Sequence, residues 1–444
     1  MMIQSQAVAL VPELQEQETQ AAPILPELHE QQTISKPTAS PASYSVAIGY
    51  LRAFVTVLVL AYHSVLAYYP LMPAPALSVT AVPWLWQAFP VLDAQRWAGF
   101  AMFAAFNDKF FMSLMFFLSG LFVWPSLQRK GAAGFLRDRL FRLGLPFLVV
   151  AAFIAPVAYY PAFLQAGMQA HFWHRWLSLG NWPTGPGWFL WLLLAFDCVA
   201  AALFVMTPRL GEALGRFLTG AFRRPFIFFL LLAAISSLVY VPMVRVFTTL
   251  HWTTFGPFAF QTSRILHYFA YFLIAVGIGA SGIESGLLAS EGRLAVRWPF
   301  WAVAALGIFC VASFTEILAL VEGGLIPNKE LDAIVASTAK SWPHLWQTIG
   351  SFGFAFSCAA SCFAFLALFV RFSKRANRIG NSFHDNAYGM YAIHYAIAIW
   401  IQYALLKPQL SAQSKGFIVI LCTIGFSWAA IAVLRRIPVV ARVI

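Results

Sequence analysis

Ten apolar runs constrain this chain more than any other feature. They fall at about 45–69, 108–127, 143–161, 187–206, 225–244, 264–282, 298–320, 345–370, 387–406 and 416–434. About 20 apolar residues in a helix cross the roughly 30 Å of bilayer hydrocarbon. A backbone in lipid must satisfy its own hydrogen bonds, which leaves helix as the conformation for each run. The chain therefore reads as all-α, a polytopic integral membrane protein with about ten transmembrane helices. Composition points the same way: 60% of the 444 residues are hydrophobic and only 10% are charged, against about 25% charged in a soluble domain.

A net charge of +12 would suit nucleic acid, but the basic residues cluster in short loops between the runs. Loops after even-numbered runs, with the C-terminus, hold eighteen Lys and Arg; loops after odd-numbered runs hold nine. That bias places both termini in the cytosol, and the expected location is the cell (inner) membrane, as a multi-pass protein. Residues 1–44 are acidic and rich in Glu, Gln and Pro, with no basic segment leading into an apolar core. They read as a disordered cytosolic tail rather than a cleavable signal, ahead of a membrane domain at 45–444. All five cysteines lie in apolar segments, so no disulfide framework is expected. Cys358 and Cys362 share a helix face without a nearby His or carboxylate in sequence, and no metal is expected there. Outer loops carry many tryptophans, among them Trp84, Trp86, Trp176 and Trp182. An aromatic belt and a sugar-binding surface both fit them.

The first run contains Arg52 and His63, eleven residues apart. At about 100° per residue that spacing returns to within roughly 20° of one face, about 16 Å along the axis. Arg52 then lies toward the cytosolic surface and His63 deep. Ionisable residues within a span are costly and mark polar cavities. Asp197, deep in the fourth run, needs a partner, and Arg52 or His63 are the candidates; beside His63 it would fix the ring's tautomer. Tyr391 and His394 sit at i, i+3 on the ninth run. Arg139 and Arg142, also i, i+3, follow the second run; their forks suit a phosphorylated ligand, but on this feature alone topology or anionic-lipid anchoring is the better reading. His267, near Arg264, reads as a rim residue. No phosphate loop, HExxH or Gly-x-Ser-x-Gly elbow occurs.

Arg-x10-His on the first run, FFLSG on the second, Arg139-x-x-Arg142 before Pro146, Trp188-Phe189-Leu190 and Tyr388-Gly-Met-Tyr391-Ala-Ile-His394 together resemble the membrane-bound acyltransferase-3 family. The match runs in order from about 45 to 434. The stretch GPGWFLWLLLAFD is similar to the branch with the periplasmic-glucan succinyltransferases. The resemblance implies ten helices and transfer of an acyl group, commonly acetyl, from cytosolic acyl-CoA to a hydroxyl of a glycan or lipid-linked sugar outside. It implies no bound cofactor, acyl-CoA being the donor substrate. It also implies His63 and Arg52 as the essential pair, Asp197, Tyr391 and His394 in support, and Arg139 and Arg142 for the donor. Some members carry an extracytoplasmic esterase-like domain, which the short stretch after the last run does not lead one to expect. Two other classes remain open on the residues alone: a transporter or flippase with Arg52, His63 and Asp197 as a relay, and a non-catalytic partner in glycan export.

Overall fold

Charges hidden inside helices account for most of the differences between the expected and observed spans. The computed structural model describes residues 41–444 apart from 71–78, 80–84, 181, 223, 283–286, 325–328 and 444. The expected acidic tail up to residue 40, with Trp84 and Arg223, lies outside the described residues. Among the described residues the regular structure is helical but for one hairpin. Its long helices are α1 (Pro41–Val65), α2 (Ala98–Gly120), α3 (Val123–Gln165, broken by a kink at Gly131), α4 (Trp188–Met206) and α5 (Pro225–Phe247). They continue as α6 (Ile265–Ala280), α7 (Trp298–Glu322), α8 (Leu345–Phe372), α9 (Arg378–Ala404) and α10 (Ala412–Leu434).

Among the described residues, nine helical stretches are long and apolar enough to cross a membrane. The expected ninth run is present as α9 but begins at Arg378. Asn381, Ser382, His384, Asp385 and Asn386 in its first part, with His394, Gln402 and four tyrosines beyond them, make it too polar to count with the nine. The second expected run, 108–127, is displaced. α2 starts at Ala98, so Asp108 and Lys109 lie mid-helix rather than at its mouth. They are tolerated there because each has a counter-charge: Arg264 for Asp108 and Glu316 for Lys109. The third run does not stand alone either. After a kink at Gly131, where φ is +69°, α3 runs on from the basic stretch into the expected third run and contains two π turns, Leu140–Gly144 and Val150–Ile154. Such turns widen a helix locally and are frequent at functional sites.

α1 is the central helix and touches α2, α8, α9 and α10. Small residues let backbones approach, as lipid-embedded packing requires. At Gly120 an added Cβ would collide with the Phe272 carbonyl of α6, and at Gly279 with the carbonyl of Leu121. Aromatic side chains fill the centre, including Phe110, Phe116, Phe228 and Tyr271, all fully buried. Leu238, Val303 and Leu421 are exposed, the faces that lipid would cover. After α1, Asp93 forms a buried ion pair with Lys415 of α10 (2.7 Å), and its amide donates to the Ala67 carbonyl (2.9 Å).

The hairpin β1 (Trp252–Phe255) and β2 (Phe258–Gln261) pairs Trp252 with Gln261 and Phe255 with Phe258. Gly256 takes the positive φ (54°) that a two-residue primed turn requires. The Trp182 amide donates to the Gly256 carbonyl (2.8 Å) and the Trp191 indole to the Ala259 carbonyl (2.9 Å). These bonds set the hairpin over the start of α4. Trp86 and Trp176 are buried against Tyr159, so these two tryptophans pack inside the fold rather than forming a belt.

Candidate active site

His63 lies in the last turn of α1, where helical geometry leaves backbone carbonyls without partners. The Gln402 amide of α9 donates to the carbonyls of His63 (2.8 Å) and Ser64 (3.0 Å), closing that end of the helix. The ring is thereby held on a fixed backbone while keeping part of its surface accessible.

The neighbours of the ring decide its tautomer. His394 Nδ1 is 2.7 Å from the Tyr391 carbonyl, which can only accept, so this nitrogen carries a proton. In the neutral ring His394 Nε2 is then an acceptor. It lies 3.2 Å from His63 Nδ1, which is also 2.9 Å from the Val59 carbonyl. Two acceptors around His63 Nδ1 place the proton there and leave the Nε2 lone pair of His63 uncommitted. That is the protonation state of a general base. Tyr62 and Tyr395 pack edge-on to the imidazole at 5.1 and 5.3 Å between centroids, which keeps bulk water from two sides.

Tyr391 is buried and its hydroxyl donates to the Pro186 carbonyl. It braces the Gly185–Gly187 turn at the start of α4 rather than reaching toward His63. Gly185 has φ +52°, and a Cβ there would strike the Tyr395 ring (2.7 Å). The turn, the second π turn of α3 and α9 enclose a space of about 10 Å³ lined by Val150, Thr184, Pro186, Tyr391 and Tyr395, about enough for one water.

Arg52 lies three turns away on α1. Its guanidinium reaches the Leu118 carbonyl near the end of α2 (3.4 Å) and sits 5.5 Å from the Phe122 ring centroid. The carbonyl end of a helix favours a cation. Asp197 meets neither of its expected partners. It is fully buried on α4, and its Oδ2 lies 3.2 Å from Nε of Arg139. Arg139 is presented by the last turn before the first π turn and stacks on Phe135 (4.9 Å). Neither Asp197 oxygen has a hydrogen bond of good geometry. Because Asp197 serves Arg139, the tautomer of His63 is set by His394 and Val59 instead. Arg142 is exposed, and the Tyr388 hydroxyl of α9 donates to its carbonyl. Arg52 and Arg139 are close enough for their charges to repel. With one carboxylate between them, the group carries excess positive charge.

The sequence-derived residues thus form two groups on one bundle, His63–His394–Tyr391 and Arg52–Arg139–Asp197 with Arg142 at the rim. α9 touches both. A third polar cluster escaped the sequence reading. His267 is no rim residue: it is fully buried, with Ser113 at Nε2 (3.0 Å), Ser236 at Nδ1 (2.6 Å) and Cys358 at 3.6 Å. Beside it Arg264 forks Asp108 with bonds of 2.9 and 2.6 Å, and Lys109 meets Glu316. The adjacent Asp108-Lys109 inside apolar sequence was the signal. It read as a span boundary because each residue's partner lies more than 150 positions away. Among the described residues no group of three His, Cys, Asp or Glu is placed to hold a metal ion.

The profile of the acyltransferase 3 family, described as an acyltransferase domain, matches residues 45–432. No curated protein and no solved structure matches the chain.

Proposed function

The chain belongs to the acyltransferase 3 family of O-acyltransferases, and on that premise we propose that it moves an acetyl or succinyl group from cytosolic acyl-CoA to a hydroxyl of an extracytoplasmic glycan or lipid-linked sugar, across the cell (inner) membrane. His63 is the general base and Arg52, Arg139 and Arg142 meet the phosphates of the coenzyme. The observation that carries the reading is the part-buried His63, whose Nδ1 proton is engaged by Val59 and His394 while Nε2 keeps its lone pair.

In the reaction the acceptor hydroxyl gives its proton to His63 Nε2 as its oxygen attacks the thioester carbonyl. The tetrahedral adduct then collapses, the carbon–sulfur bond breaks, and the proton on His63 leaves with the coenzyme as thiol. A positioned base contributes about 10²–10⁴-fold. The excess of guanidinium over carboxylate at the Arg52 end supports an anionic donor there, and the roughly 16 Å to His63 suits an extended pantetheine arm. Residues Gly185 to Asp197 support the succinyltransferase-like branch by sequence pattern.

The test is transfer of label from acyl-labelled CoA to cell-surface glycan. Mass spectrometry of that glycan with and without the protein should show one acyl mass lost in its absence. Uptake of label without a new ester would instead favour a carrier.

A further inference from the structure

Resting on that reading, we propose that the acceptor is a neutral sugar or similar polyol, held by the carboxylates of Asp108 and Glu316 beside Tyr62 and Tyr69. Two ion pairs occupy this region, and their exposure is lopsided. The cations are sealed in, Arg264 at 3% and Lys109 at 2% side-chain exposure, while Asp108 keeps 37% and Glu316 29%. Arg264 also lies against the Phe354 ring at 4.5 Å. The cations therefore neutralise from behind, and the carboxylates form the accessible face. An ionised carboxylate has about four lone-pair sites. The Arg264 fork takes two from Asp108, leaving others free to accept.

The position of this face relates it to His63. Phe111 lies one turn beyond Asp108 on α2, about 4.5 Å along the axis, and packs on Tyr62 at 5.2 Å. Tyr62 in turn packs edge-on to His63. Tyr62 lies within electrostatic reach of Asp108 and Arg264, and Tyr69 within reach of Asp108 and Glu316. A molecule with one hydroxyl at His63 would thus lay its other hydroxyls toward the two carboxylates, across tyrosine rings suited to its C–H face. Hydrogen bonds from hydroxyl to carboxylate are charge-assisted and strong. A uronate or sugar phosphate would instead turn its negative charge toward Asp108 and Glu316 and be repelled.

The experiment uses the full chain in lipid nanodiscs free of sugar detergent, labelled acetyl-CoA as donor, and methyl glucoside, galactoside and mannoside as neutral acceptors. Methyl glucuronide and glucose 6-phosphate are the charged comparisons. At least one neutral glycoside should accept label, and neither charged sugar should match it. Asp108→Asn and Glu316→Gln should raise the KM for that glycoside about tenfold or more, with the acetyl-CoA KM unchanged and Asp108→Glu recovering part of the loss. Because these variants strand a buried cation, a second measurement uses the unaltered protein: modification by a water-soluble carbodiimide, mapped by mass spectrometry, should be slowed at Asp108 and Glu316 by the glycoside. Preference for a charged sugar, or transfer without protection of either carboxylate, overturns the inference. Protection without any consumption of thioester supports the sugar site and defeats the acyltransfer chemistry proposed for His63.

Discussion

His394 Nε2 faces His63 Nδ1 at 3.2 Å, and it can only accept, because the other nitrogen of His394 donates to the Tyr391 carbonyl. The pair joins α1 to α9 and assigns the two rings different work. In the proposed reaction His394 is the positioning residue, and His63 keeps the uncommitted lone pair.

Replacing His63 with Ala should remove transfer, by about 10²–10⁴-fold if it acts only as a base, while the protein still inserts and accumulates. The check is label transfer normalised to folded protein by size-exclusion. Full activity in this variant would sink the assignment.

His394→Gln and His394→Leu should part company. The Gln side-chain oxygen can accept from His63 Nδ1–H; Leu cannot, and His63 then loses one of its two acceptors. We expect His394→Gln to keep most of kcat and His394→Leu to lose about tenfold or more, with donor KM the same in both. Equal losses would make His394 a packing residue.

Arg139 bears on donor binding and on the burial of Asp197 at once. Arg139→Ala leaves the Asp197 carboxylate without its counter-charge, which costs about 3–5 kcal/mol for a buried pair. The double variant Arg139→Ala, Asp197→Asn should therefore accumulate better than the single. In the double variant the apparent donor KM should rise with a smaller change in kcat, the pattern of lost uniform binding. Arg139→Lys should recover only part of it, since the fork is gone. An unchanged donor KM in the double variant and in Arg142→Ala would assign both arginines to topology.

The basic-residue bias predicts where each loop lies. Reporter fusions at Gly180 and Pro327 should read outside, and those at Gly134 and Asn377 inside. Two reversed readings would move the arginine group to the outer face and exclude a cytosolic donor site there.

What the sequence determined by itself was set by solvent and by repetition. Runs of about 20 apolar residues have one conformation in lipid, so helices and a multi-pass chain were legible without any contact being known. The isolated Arg52, His63, Asp197 and His394 were legible for the same reason, since a polar group in such a run stands out. Which groups meet was not legible, because partners come from distant helices and spacing carries no information about them. Only the tertiary structure gave Asp197 to Arg139 rather than to Arg52 or His63, and brought His394 to His63 across 331 positions. Asp108 and Lys109 show the cost of reading charge without its partner. They looked like the edge of a helix, and the folded chain holds them in its middle because Arg264 from the turn before α6 and Glu316 from α7 arrive there to neutralise them.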